Sequence, residues 1–256
     1  MNRCFLFLFT CCFFVNLLVT PSFALSAKNK ELLNKYYRLM GEGKIDESIL
    51  LIKKFTDIIL REEGTNSAHY ATALHNLAFA YQMKKQTHNV EKLYKKALKI
   101  RLKLFGPDHL AVAVSQVNLG GFYFEEGRFG LAEPLFVSAR KTRENWLGLY
   151  HVKVIDVINL IAKVKVERNL EDEAIELYRL ALKRGERGSG PEFPRLAGTL
   201  LNLAILYHRR SHFKKSDELL RRALFISQKE LGVKHPHTIH LDEQLTRIRI
   251  QARELQ

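Results

Sequence analysis

The chain has 256 residues, of which 46% are hydrophobic, so it is long enough to bury a sizeable core. It is strongly basic, with 41 lysines and arginines against 27 aspartates and glutamates. The three cysteines, Cys4, Cys11 and Cys12, all lie in the first dozen residues. The rest of the chain therefore supports neither a disulfide framework nor cysteine chemistry.

The first residues are typical of a targeting segment. Arg3 precedes a nearly unbroken apolar run, and Ser22-Phe23-Ala24 places small residues where a signal peptidase cleaves. We therefore predict that residues 1–24 are a signal peptide and that the protein is exported, to a bacterial periplasm or by secretion. The alternative is a membrane anchor formed by residues 4–25, although the apolar run is short for a full span.

The remainder of the chain repeats with a period of 42 residues. Each period contains a Leu-Ala-like pair, then a small residue and then a glycine. The pairs are Leu77-Ala78, Leu119-Gly120, Ile161-Ala162 and Leu203-Ala204; the small residues are Ala97, Ala139, Ala181 and Ala223; the glycines are Gly64, Gly106, Gly148, Gly190 and Gly232. A fixed period of this length, held without insertions, indicates a solenoid of stacked repeats.

Each repeat is predicted to be a pair of helices. Leu74, Leu77, Ala78 and Tyr81 follow the i, i+3, i+4, i+7 spacing of one apolar helix face. Small residues let paired helices approach closely, and aromatic residues such as Phe136 fill the space around them. The predicted units are a degenerate helix pair at 28–65, repeats at 66–109, 110–151, 152–193 and 194–236, and a solvent-facing capping helix at 237–256.

This pattern resembles the tetratricopeptide repeat, and more closely its 42-residue variant in kinesin light chains. The matching segments are Leu201-Asn202-Leu203-Ala204-Ile205-Leu206-Tyr207 in a first helix, Leu93-Tyr94-Lys95-Lys96-Ala97-Leu98 in a second helix and Phe105-Gly106-Pro107-Asp108-His109 in a turn. Repeat 152–193 departs from the pattern, because Lys165 replaces the tyrosine and Leu160 the asparagine. The resemblance implies an all-α, right-handed superhelical solenoid of antiparallel helix pairs.

The resemblance also implies a concave groove, built from the first helices, that holds an extended peptide or a partner's helix. A side-chain amide can donate to and accept from a peptide backbone at once, which suits such a groove. The predicted groove residues are Asn76, Asn118 and Asn202, with His75, Phe79, Gln82, Met83, Phe124, Asn159, Lys163, His208 and Arg209 beside them. An alternative stays open, in which the asparagines mainly tie neighbouring helices together.

Lysines and arginines crowd the second helices, which indicates a solvated outer face. The large positive charge also favours encounters with anionic partners, such as an acidic peptide or anionic lipid head groups at a membrane surface. Nucleic acid is not expected, because no recognition helix, aromatic stacking platform or zinc module accompanies the charge.

No catalytic site, metal site or cofactor is predicted. His235, His237 and His240 lie close in sequence, but His235 is the repeat's own turn residue, as are His109 and His151. The Ser-x-x-Lys and glycine-rich segments at 138–141 and 185–190 lack the companion motifs that enzymes need. The sequence therefore predicts a non-enzymatic interaction module, such as a scaffold, adaptor or assembly factor.

Overall fold

The structure is a computed structural model that describes residues 25–254, so the predicted signal peptide lies outside the described residues. Over this part of the chain it contains eleven α-helices, one short 3-10 segment at Thr87–Asn89 and no strand. The helices are α1 Ala27–Gly41, α2 Ile45–Glu63, α3 Ala68–Met83, α4 Val90–Phe105, α5 Leu110–Glu125, α6 Phe129–Leu147, α7 Val152–Glu167, α8 Glu171–Ser189, α9 Leu196–Arg209, α10 Phe213–Leu231 and α11 Pro236–Glu254. None of these helices is both long enough and apolar enough to span a bilayer.

The helix ends follow the period of the sequence. First helices end at Gly41, Met83, Glu125, Glu167 and Arg209, in steps of 42 residues. Second helices end at Glu63, Phe105, Leu147, Ser189 and Leu231, again in steps of 42 residues. One period of the sequence is therefore one pair of helices together with its two turns.

The chain divides into two compact units, one ending at Leu104 and the other beginning at Phe105. In the first unit, α2 packs against both α1 and α3. In the second unit, the helices pack in chain order from α5 to α11. The small residues of the repeat, from Ala78 to Ala223, are fully buried between these helices. Close approach at the small residues thus forms the core, as their spacing predicted.

The glycine that ends each second helix has a backbone conformation that other residues rarely adopt. Gly148 has φ 82° and ψ 161°, in a region that is almost restricted to glycine. The equivalent glycines, Gly64, Gly106, Gly190 and Gly232, also have positive φ. The periodic glycine is therefore required by the geometry of the turn between consecutive pairs.

Replacing Gly148 with alanine is expected to lower the free energy of unfolding by about 1–3 kcal/mol, because alanine is strained at this φ and ψ. Gly130→Ala is the matched control, since Gly130 lies in α6 with open space around its Cα. That substitution should stabilise the protein by up to about 1 kcal/mol through its helix propensity. Urea denaturation followed by circular dichroism measures both effects, and an unchanged stability of Gly148→Ala would contradict the turn argument.

Candidate functional site

The predicted groove residues of the first unit lie in its interior. His75, Asn76, Phe79 and Gln82 are each exposed by less than a tenth, whereas Met83 is half-buried. The His75 ring packs edge-on against Tyr94 of α4, with 5.4 Å between the ring centroids. Gln82 Oε1 accepts a hydrogen bond of 2.9 Å from the Tyr94 hydroxyl. His75 and Gln82 therefore contact the second helix of their own repeat.

Asn76 ties its helix to the preceding first helix. Its Nδ2 donates to the Tyr37 hydroxyl at 3.2 Å. Its backbone oxygen accepts a hydrogen bond of 3.0 Å from the Tyr36 hydroxyl. Burial raises the pKa of both tyrosines, so both hydroxyls keep their protons. At Asn76 the geometry fits the alternative interpretation, in which the asparagines tie neighbouring helices together.

In the second unit, polar contacts also join consecutive first helices. Both polar atoms of the Asn159 amide lie within hydrogen-bond distance of the Thr199 hydroxyl, at 2.9 and 3.2 Å. Beside them, Arg195 Nη1 lies 2.8 Å from Asp156 Oδ2. Burial raises the pKa of Asp156, and the Arg195 charge opposes that rise. These two contacts fix α7 next to α9.

The remaining predicted residues of the second unit differ in exposure. Asn118 is buried and its Nδ2 donates to the Val114 backbone oxygen at 3.2 Å. Phe124 is half-buried, with its ring edge-on to Phe129 at 5.4 Å. Lys163, Asn202 and His208 are half-buried, and Arg209 is exposed with Glu171 Oε1 at 3.2 Å from its Nη1. Partly or fully exposed polar side chains therefore remain on α7 and α9.

Asn202 differs from the other predicted asparagines. Asn76 and Asn159 are bound to side chains of neighbouring helices, whereas the amide of Asn202 has no hydrogen-bond partner within residues 25–254. An amide that is partly exposed and uncommitted can bind a peptide backbone without breaking a contact within the chain. Asn202 is thus the predicted asparagine whose surroundings best suit ligand binding.

The sequence pattern missed Asp156, Arg195 and Thr199. These residues occupy no position that recurs as a motif, and α9 begins two residues later than the 42-residue step requires. Their contacts depend on the irregular turn before α9. The 42-residue period predicted that α7 and α9 are first helices of consecutive repeats, but not these contacts between them.

The turn histidines cap helices. His109, His151 and His235 each accept a hydrogen bond of 3.1 Å through Nδ1 from a backbone N–H two residues later. No group of three or more possible metal ligands occurs among residues 25–254. The histidine positions are therefore explained by the first turns of α5, α7 and α11.

Paired helices that end at intervals of 42 residues, small residues at their contacts and glycine turns define a helical-repeat protein. Models of the tetratricopeptide repeat match residues 69–145, 112–187 and 196–237, more than half of the chain. The chain belongs to the tetratricopeptide repeat family. Proteins of this family are non-catalytic protein-interaction scaffolds, and the matches confirm the resemblance that the sequence suggested.

Several of the proteins that this chain is similar to are kinesin-light-chain-like. The chain is 27% identical over 187 residues to Protein KINESIN LIGHT CHAIN-RELATED 1 of Arabidopsis thaliana; the match covers 73% of this chain and 30% of the relative. It is 19% identical to a putative kinesin light chain with TPR-like repeats from Podosopora anserina, with a TM-score of 0.70 over 79% of this chain and 95% of that chain. It is 21% identical to BtubC (BKLC) from P. vanneervenii, with a TM-score of 0.70 over 81% and 82% of the two chains. These similarities confirm the predicted all-α solenoid of helix pairs.

Proposed function

We propose that this protein is an exported interaction module that binds a protein partner across the first helices of its second unit. The observation that carries the proposal is the uncommitted amide of Asn202, which lies on α9 with Lys163 on the adjacent α7. An amide grips a peptide backbone without regard to its sequence, and a lysine adds a preference for carboxylates. The partner is an extended peptide or a helix with acidic character.

The charge of the chain supports an acidic partner. The formal net charge of +14 raises the rate of encounter with negatively charged surfaces. At the end of α9, Arg209 Nη1 lies 3.2 Å from Glu171 Oε1, so a cation on this face already pairs with a carboxylate of the chain. The role that fits this arrangement is that of a scaffold, adaptor or assembly factor.

Lys163→Glu combined with Asn202→Ala is expected to weaken partner binding by about tenfold or more, because it removes the amide contact and reverses a charge facing the acidic ligand. Affinity capture in the native compartment, quantified by mass spectrometry, identifies the partner and measures its loss. Helical circular dichroism and the melting temperature should stay close to those of the wild type.

Asn76→Ala and Lys141→Glu are the matched controls. Asn76→Ala removes the bond to Tyr37 and should lower stability by about 1 kcal/mol while partner capture persists. Lys141 is exposed on the second helix α6, so its charge reversal should leave capture unchanged. Equal capture by the wild type and the Lys163→Glu, Asn202→Ala variant would contradict binding on this face.

Export is part of the proposal and has its own test. The motif for it, residues 1–24, lies outside the described residues. N-terminal sequencing of the purified protein should begin at Leu25 if the segment is a cleaved signal peptide. A chain that retains residues 4–25 would instead favour the membrane-anchored alternative. Retention on anionic lipid without any protein partner would favour lipid binding through the basic second helices.

A further inference from the structure

A cavity of about 510 Å³ lies between consecutive second helices of the second unit. The helices α8 and α10 form its sides, and both pack against α9, which forms its floor. Leu182, Leu203, Leu219 and Tyr207 supply the apolar surface. It is wide open to solvent, so it is a surface groove and not an enclosed pocket. The cavity lies among second helices, so it is separate from the Asn202 and Lys163 face.

The rim of the cavity carries more positive than negative charge. Two of its arginines are already paired: Arg222 lies 2.6 Å from Glu186, and Arg179 lies 3.0 Å from Glu176. Lys183 and Lys215 have no carboxylate partner within residues 25–254, and Lys215 Nζ lies 5.4 Å above the Tyr207 ring. Two accessible cations thus stand beside an apolar floor.

The preceding repeat has different residues at the positions equivalent to Tyr207 and Lys215. One period earlier, Lys165 occupies the position of Tyr207 and Glu173 that of Lys215. Lys165 Nζ lies 2.7 Å from Glu133 and 2.7 Å from Glu173, so carboxylates of the chain itself pair with this lysine. In the next repeat, a lysine replaces the glutamate. Between α8 and α10 the chain therefore places a cation, Lys215, where it places the carboxylate of Glu173 between α6 and α8.

We propose that this cavity docks an acidic amphipathic helix of a partner protein. A groove between helices receives the apolar face of a partner helix through side chains spaced i, i+3, i+4 and i+7. The leucines of the floor would contact that apolar stripe, and Lys183 and Lys215 would pair with glutamates that flank it. The partner would thereby bring a carboxylate to Lys215, the position at which the chain itself has Glu173 one repeat earlier.

The test uses a synthetic helical peptide of about 18 residues, or five turns, with leucines along one face and glutamates on both flanks. Its affinity for the full chain is measured by fluorescence anisotropy. The double variant Lys183→Glu, Lys215→Glu should bind it about tenfold or more weakly. The same variant should gain affinity for a peptide in which lysines replace the glutamates. This gain would show that the variant is folded and that the charges meet directly.

Two controls separate the cavity from general attraction. Lys141→Glu reverses the charge at the position equivalent to Lys183 one repeat earlier, and it should change the affinity by less than about twofold. A peptide with serines in place of the leucines should bind much more weakly than the parent. The proposal would be overturned by equal affinity of the double variant, by equal weakening in Lys141→Glu, or by undiminished binding of the serine peptide.

Discussion

Replacing Phe136 with alanine is expected to lower the free energy of unfolding by about 3–5 kcal/mol. The Phe136 side chain has an exposed fraction of 0% and lies in α6, the second helix of its repeat. Its ring rests directly on α5, since a Cβ added to Gly120 would lie 2.7 Å from Cε1 of the ring. Truncation leaves a cavity that two packed helices cannot close by small movements. Urea denaturation followed by circular dichroism measures the loss.

The contact with Gly120 makes a sharper prediction through a double-mutant cycle. Gly120→Ala alone should destabilise the protein, because its Cβ would overlap the Phe136 ring. In the Phe136→Ala background the same substitution should stabilise it by up to about 1 kcal/mol, since alanine is the better helix former and the ring is gone. Val137→Ala, at a side chain that is 50% exposed, is the control and should cost less than about 0.5 kcal/mol. The same sign for Gly120→Ala in both backgrounds would contradict the packing described.

The sequence predicted the helix pairs because their determinants recur at fixed spacing. The positive φ of Gly148, the burial of Ala139 and the contact of Phe136 with Gly120 all follow from residues that repeat every 42 positions. A turn that only glycine adopts and a contact that only a small residue permits leave a strong pattern in the sequence. The fold could therefore be predicted from this single sequence.

The candidate site was harder to predict from the sequence, because the exposure of each side chain depends on which residues of neighbouring helices contact it. His75 and Gln82 flank the apolar stripe of α3, and their spacing fits a surface face as well as a contact with Tyr94. The bond from Asn76 to Tyr37 depends on the register of α1, which belongs to the degenerate pair. Asn76 and Asn202 share one motif position, yet one amide is bound and the other is uncommitted. Motif position fixed the helix face, and local partners decide which amide is available.

Departures from the repeat are informative for the same reason. Lys165 interrupts the series of first-helix tyrosines, and its ion pairs with Glu133 and Glu173 explain that interruption. The next repeat restores the aromatic residue at Tyr207 and places Lys215 above its ring. Glu173 and Lys215 thus place opposite charges at one equivalent position of adjacent repeats. The surfaces between second helices therefore differ in charge from one repeat to the next.

Acidification from pH 7.5 to pH 5 is expected to lower the melting temperature. Burial, together with the Arg101 charge, holds the pKa of His75 well below its ordinary value. Burial and neighbouring charged groups also lower the pKa of His151 and His237. In the unfolded chain these histidines titrate at about 6.5, so below that pH the unfolded state binds more protons than the folded state. Stability is therefore complete above about pH 6.5 and is lost as the pH falls.

His75→Leu is expected to flatten this pH dependence, because it removes the most deeply buried of the three titrating rings. Leucine suits the site, since Leu201 occupies the equivalent position three periods later in the second unit and is buried there. Melting temperatures at pH 7.5, 6.5, 5.5 and 5.0 measure the effect, and His88→Gln, at an exposed ring in the turn before α4, is the control. The melting temperature of the wild type should fall more steeply with falling pH than that of His75→Leu, because only the wild type must keep a buried imidazole neutral. Parallel curves for the two proteins would show that acid sensitivity arises elsewhere, with His151 and His237 as the groups to substitute next.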